Sequence, residues 1–184
     1  NLKELVALSK KTELNFAVTA IGSAPHLAGV AVERASGAKW LYIPYKGGSQ
    51  AITDTIAGQT QILMNGMLAT LPFVQSGKLK ILGVSKGSRM PLIGDVPTLA
   101  EQGLTGFESG TWQGILVANG TPPAILNRLN SELIKVVRQP EIRAKLAGQG
   151  AEVVTMTPVQ QDEFLNREKV RWAKVVEQAN IKLD

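Results

Sequence analysis

The chain has 184 residues, 44% hydrophobic and 19% charged, a composition that suits a folded globular protein and excludes a disordered one. It holds no cysteine and one histidine, His26. That excludes a disulfide framework, thiolate metal sites, a cysteine nucleophile and a two-histidine metal site within one chain. Lys and Arg number 20 against 15 Asp and Glu, a net charge of +5, and 5% of residues are aromatic. The basic residues form no dense block and the aromatics no stacking platform, which argues against nucleic acid as a partner.

In chain order, Asn1 to Val6 opens an amphipathic helix, with Leu2, Leu5, Val6 and Ser9 on one face. No basic, apolar and small-residue leader precedes it. The expectation is a cytosolic protein or a chain whose front portion lies elsewhere. Leu14 to Ala20 reads as a strand, and Gly22-Ser23-Ala24-Pro25 turns into a helix with Leu27, Val30, Ala31 and Arg34 in register, closed by Gly37. Trp40 to Tyr45 is strand-like. Lys46-Gly47-Gly48-Ser49 leads into a helix over Gln50 to Ala57. Gln61 to Asn65 reads as a strand, Leu68 to Gln75 as a short helix interrupted by Pro72, and Leu79 to Ser85 as another strand.

From Lys86 to Gly110 the chain is rich in Gly, Pro and Ser, with a short helix predicted at Thr98 to Gln102. Thr111 to Ala118 reads as a buried strand. Thr121-Pro122-Pro123 reads as a threonine-capped helix start, and Ile125, Leu126, Leu129, Leu133, Val136 and Val137 follow at helical spacing. Gln139-Pro140 breaks that helix, and a second runs from Glu141 to about Ala147. Glu152 to Thr155 is strand-like. Thr157-Pro158-Val159-Gln160 is a capping box, and the last helix carries Phe164, Leu165, Trp172, Val175 and Val176 on one side. Alternating short strands and helices predict an α/β fold, with a boundary near Glu108 to Thr111. No apolar run approaches the ~20 residues of a membrane-spanning helix.

No nucleophile has the setting it needs. Gly-x-Ser-x-Gly is absent, and Asp162 and Glu163 occupy adjacent helical positions that face apart. The reading is therefore a non-enzyme with no catalytic residue, metal site or cofactor. Two glycine turns, Gly22-Ser23 and Gly47-Gly48-Ser49, each place backbone N–H groups and a hydroxyl at a helix start, where an anion is welcome. The alternative is that each serine only caps its own helix. His26 falls in the first helical turn after Ser23, as a ligand contact or as a partly buried ring satisfied locally. Asn65 ends a strand, where open α/β sheets place ligands, or is a turn asparagine. Met64 and Met67 read as core, and Trp112 as packing or as cleft lining.

These residues, in this order, resemble a known family. Gly22-Ser23-Ala24-Pro25-His26-Leu27 resembles its Gly-Thr-x-x-His-Leu, and Ile43-Pro44-Tyr45-Lys46-Gly47-Gly48 its Val-Pro-Tyr-Lys-Gly-Gly. Gly77-Lys78-Leu79-Lys80, Asp95-Val96-Pro97-Thr98, Trp112-Gln113-Gly114 and Gly148-Gln149-Gly150-Ala151-Glu152 resemble further stretches. The family is the Bug-type solute-binding proteins of tripartite tricarboxylate transporters, and the resemblance runs from Leu2 to Asp184.

The resemblance implies a periplasmic receptor of two α/β lobes, a type II-like periplasmic-binding-protein architecture. The lobes close on a small carboxylate, which the receptor hands to membrane permease subunits. It implies Ser23 as a hydroxyl contact, His26 as support for its loop, Gly47 and Gly48 as backbone donors, and Asn65 where many members carry aspartate. Members are longer and begin with a secretion signal. The expectation is therefore one complete lobe, 1–109, which binds ligand, and a partial one, 110–184, the returning portion of the other lobe. Apolar surface left by absent sheet neighbours is then exposed, and association with a second copy is one way to cover it. The alternative from another class is the effector-binding domain of a transcriptional regulator, but no helix-turn-helix segment is recognisable.

Overall fold

The strand Asn15–Val18 (β1) is apolar from Phe16 onward and lies at the centre of a three-stranded parallel sheet. Leu41–Pro44 (β2) pairs with it on one side, Phe16 opposite Tyr42, and Ile62–Leu63 (β3) on the other, Phe16 opposite Ile62. Phe16, Ala17 and Val18 are buried because both faces of β1 are covered, as parallel sheets require. The computed structural model describes residues 1–178. Both outer strands are shorter than their apolar runs suggest, since a strand lasts only as long as its ladder.

Helix Leu2–Ser9 (α1) precedes β1, Ala24–Ser36 (α2) and Gly48–Ile56 (α3) connect the strands, and Met67–Gln75 (α4) follows β3. Asn1 and Glu4 form a capping box at the start of α1. Ser23 caps α2, and Gly37, at φ +68°, ends it. The buried face of α2 is His26, Leu27, Ala28, Gly29 and Val32, while Arg34 of the expected register is exposed. The reason is Gly29. A Cβ there would lie 3.0 Å from Tyr42 Cε1 and 3.2 Å from Phe16 Cζ, so the missing side chain lets the helix settle on the aromatic face of the sheet. Pro72 does not interrupt α4, which runs through it with Leu71 buried beneath. Leu2, Val32, Leu99 and Leu104 form a core cluster, with Val6, Trp40, Met64 and Phe107 packed against it.

Leu79 to Ser85 is not a strand. Within it only Val84 forms a β-bridge, parallel, to Thr98. Thr98 to Gln102 is a turn and not a helix. There Thr98 N–H donates to Glu101 Oε2 (2.7 Å) and Glu101 N–H to Thr98 Oγ1 (3.0 Å). A short 3₁₀ turn, Pro91–Ile93, precedes it.

The chain divides into two units. One is Asn1–Thr111 with residues 175–178, and the other is Trp112–Lys174. The second unit holds Pro123–Arg138 (α5), Pro140–Gly148 (α6) and most of Pro158–Gln178 (α7). The strands expected at Thr111 to Ala118 and Glu152 to Thr155 are absent, because no neighbouring strand among the described residues offers a ladder. Ile115 and Leu116 are accordingly 67% and 70% exposed. Thr121 does not cap α5. Its hydroxyl donates to Ala118 O (2.7 Å), and the helix starts one residue after Pro122. The capping box before α7 forms as expected: Gln160 N–H donates to Thr157 Oγ1 (3.2 Å) and Thr157 N–H to Gln160 Oε1 (2.9 Å). Trp112 meets the Phe164 ring edge-on at 5.7 Å. No described residue of this unit is buried, so its helices present apolar faces without a core of their own. Positions 179–184, the end of the expected 110–184 segment, lie outside the described residues.

Candidate functional site

All three strands run the same way, so the loops after β1, β2 and β3 leave from one edge of the sheet. The order β2-β1-β3 means that the chain first builds to one side of β1 and then to the other. Open α/β sheets place their ligands at such a reversal, outside the carboxyl ends of the strands. Ser23 and His26 follow β1, Gly47 and Gly48 follow β2, and Asn65 follows β3. One sheet edge therefore gathers all five residues singled out in the sequence.

The start of α2 is satisfied from within. Gly22 N–H donates to His26 Nδ1 at 3.0 Å, and Ser23 N–H to Ala20 O at 3.2 Å. Ser23 Oγ accepts His26 N–H at 3.5 Å, a long bond that leaves the hydroxyl proton free to be donated. The N–H groups of this turn are thus not the open set that the sequence suggests. His26 is 5% exposed, its ring edge-on to Tyr42 at 4.6 Å. Burial holds its pKa below the ordinary histidine value, so the ring is neutral and its Nδ1 lone pair is available to Gly22. Behind it, Tyr42 donates to Glu33 Oε2 (2.7 Å) and accepts from Trp40 Nε1 (2.8 Å). Burial first, then the Glu33 carboxylate, raises the Tyr42 pKa and keeps the phenol protonated. This support was not read from the sequence, although an isolated glycine inside a helical pattern, Gly29, was a signal of close packing.

The start of α3 is different. Its cap residue, Gly47, is extended and has no side chain to close the helix end. The first intrahelical bond is Ala51 N–H to Gly47 O (3.3 Å). The N–H groups of Gly48, Ser49 and Gln50 have no intrahelical acceptor and lie at the positive end of the helix dipole. Ser49 is exposed in the first turn and does not cap the helix.

Asn65 faces that end. Its Oδ1 accepts Gly66 N–H at 2.8 Å, which sets the orientation of the amide. Its Nδ2 is buried and has no hydrogen-bond partner. A Cβ on Gly48 would sit 2.9 Å from that nitrogen, so only glycine fits there without a shift. The edge thus offers a hydroxyl, backbone N–H groups and a side-chain amide: neutral donors suited to an anion's oxygens. Met64 packs on the core, as expected. Among the described residues, no three His, Asp or Glu come together in a way that would hold a metal ion, and no helix is long and apolar enough to cross a membrane.

A parallel α/β sheet with its loops gathered at the carboxyl edge is the framework of a periplasmic-binding-protein lobe, and solved structures of such proteins share it. The chain superposes on a protein of R. palustris solved with adipate at a TM-score of 0.92 and 27% identity, over 97% of this chain and 60% of that one. It superposes on the periplasmic binding protein BugD at 0.88 and 30% identity, over 98% and 61%. It is 33% identical to BugT of Bordetella pertussis over 185 residues, all of this chain and 57% of BugT. Residues 1–181 match the family model of the tripartite tricarboxylate transporter family receptor, TctC, and the chain belongs to that family. The chain spans about half the length of BugT and other curated relatives it matches.

Proposed function

We propose that this chain is the ligand-binding part of a periplasmic receptor. It captures a small carboxylate as its lobes close and delivers it to the permease subunits of a tripartite tricarboxylate transporter. Capture is by binding alone, with no covalent step. Residues 1–109 form the lobe that carries the site, and 110–184 are the returning portion of the other lobe. The Ser23 hydroxyl and the N–H groups after Gly47 and Gly48 hold the carboxylate, His26 holds the Ser23 loop in place, and the Asn65 amide stands beside Gly48 as a further ligand contact. A second copy of the chain is the partner for apolar side chains that stay exposed on the Trp112–Lys174 unit.

The observation that carries this reading is the uncapped start of α3 beside the Asn65 amide, a set of neutral donors at the carboxyl edge of the sheet. The likeness to a protein solved with adipate supports a carboxylate as the occupant. Calorimetric titration of the full chain with adipate tests it. The expected result is saturable binding that weakens on the order of tenfold in Ser23→Ala, the loss of one hydrogen bond to a charged group. No uptake of adipate, together with no small carboxylic acid on the particle in a native mass spectrum, would overturn it.

A further inference from the structure

Tyr42 lies along two turns of α2. Its hydroxyl donates to Glu33 Oε2 at 2.7 Å. Its ring runs beneath Gly29, where a Cβ would come within 3.0 Å of Cε1 and 3.2 Å of the hydroxyl oxygen. The His26 ring meets it edge-on at 4.6 Å. Positions 26, 29 and 33 are spaced three and four apart, so they form one stripe down the helix. The Tyr42 hydroxyl also accepts Trp40 Nε1–H at 2.8 Å, and Glu33 Oε1 accepts the Trp40 backbone N–H at 3.3 Å. The phenol thus both donates and accepts, which anchors the ring along the helix where packing alone would let it slide. His26, at one end of the stripe, accepts the N–H of Gly22, the residue before Ser23, at 3.0 Å. Tyr42 itself belongs to β2, the strand that leads into Gly47 and Gly48. One side chain therefore ties the strand that carries one donor loop to the helix that carries the other.

We propose that Tyr42 is a positioning residue for ligand capture: acting through the His26 ring, with no ligand contact of its own, it sets where the Ser23 hydroxyl stands relative to the N–H groups after Gly47 and Gly48. This rests on the receptor reading above and deepens it. A hydrogen bond to a ligand keeps its strength only while the surrounding residues hold it within about 0.5 Å. Loss of the Tyr42 hydroxyl leaves the ring in place but unanchored at Glu33. His26 then shifts, and the Gly22-Ser23 turn shifts with it. The N–H groups at the start of α3 stay, because they belong to a different helix.

The test is a double-mutant cycle of Tyr42→Phe with Ser23→Ala, read as the adipate affinity of the full chain by calorimetry. Tyr42→Phe alone is expected to weaken adipate binding on the order of tenfold, the loss of one well-placed hydrogen bond to a charged group. In the Ser23→Ala chain that bond is already gone, and the same change is expected to weaken binding by less than about threefold. A merely structural role for Tyr42 would lower the unfolding temperature and leave the two losses equal. Equal losses, or an unchanged affinity in Tyr42→Phe, overturn the proposal and leave the receptor reading standing. No binding of adipate by the native chain overturns the receptor reading and this proposal with it. Should Tyr42→Phe not fold, Glu33→Gln takes its place in the cycle with the same outcomes, since it weakens the same anchor from the helix side.

Discussion

The Nδ1 of His26 accepts the backbone N–H of Gly22 at 3.0 Å, and it does so only while the ring is neutral. A proton on that nitrogen removes the acceptor and leaves Gly22 N–H facing a cation. Burial holds the folded-state pKa of His26 below its ordinary value of about 6.5. The unfolded chain therefore binds the proton more readily, and stability falls as the pH drops below about 6.5 toward the folded pKa. Above that window the contribution is fully present. Urea unfolding at steps from pH 7.5 to 5 should show the native chain losing stability on acidification. His26→Gln should lose less over the same range, and equal slopes would sink the idea.

Gly29→Ala tests how closely α2 lies on the sheet. Alanine is the better helix former by up to about 1 kcal/mol, so a helix free of neighbours would gain. Here the new methyl meets the Tyr42 and Phe16 rings at 3.0 and 3.2 Å, both held in a tilted stack with centroids 5.5 Å apart. Overpacking of that kind costs about 1–3 kcal/mol. A net loss of about 1–2 kcal/mol in chemical unfolding is expected. A stabilised variant would show that the helix has room to lift.

Gly48→Ala separates binding from stability. The atom its methyl would meet is the end of the Asn65 side chain, which can shift by weakening its bond from Gly66 N–H, a cost of about 1 kcal/mol. Stability should change by less than about 1 kcal/mol, since alanine also favours the helix. Adipate affinity should fall by on the order of tenfold, because the displaced amide no longer points to the site. Loss of stability with affinity intact would reverse the assignment of this contact.

The helical elements were legible in the sequence because their signals are local. Ser23 before Pro25, Gly37 at the end of α2, Pro140 after Gln139, and Thr157 with Gln160 each act within a turn of their own position, and the structure ends or starts a helix at each. The strands were less legible. Asn15 to Val18 pairs on both sides, but Leu79 to Ser85, Thr111 to Ala118 and Glu152 to Thr155 have the same apolar texture and form no ladder. A strand is a property of two segments, and texture describes one.

The site divides the same way. The sequence by itself determined which residue types stand at each loop: a hydroxyl at 23, a single histidine at 26, two glycines at 47 and 48, an amide at 65. It also determined the family, since ordered motifs are a linear property. Only the tertiary structure decided that α2 closes its own N-terminus through His26 and Gly22 while α3 leaves its N-terminus open. It alone set Asn65 Nδ2 against Gly48, 17 positions away, with no acceptor. Hydrogen-bond satisfaction depends on what the fold brings within about 3 Å, and that distance is fixed by how strands and helices pack.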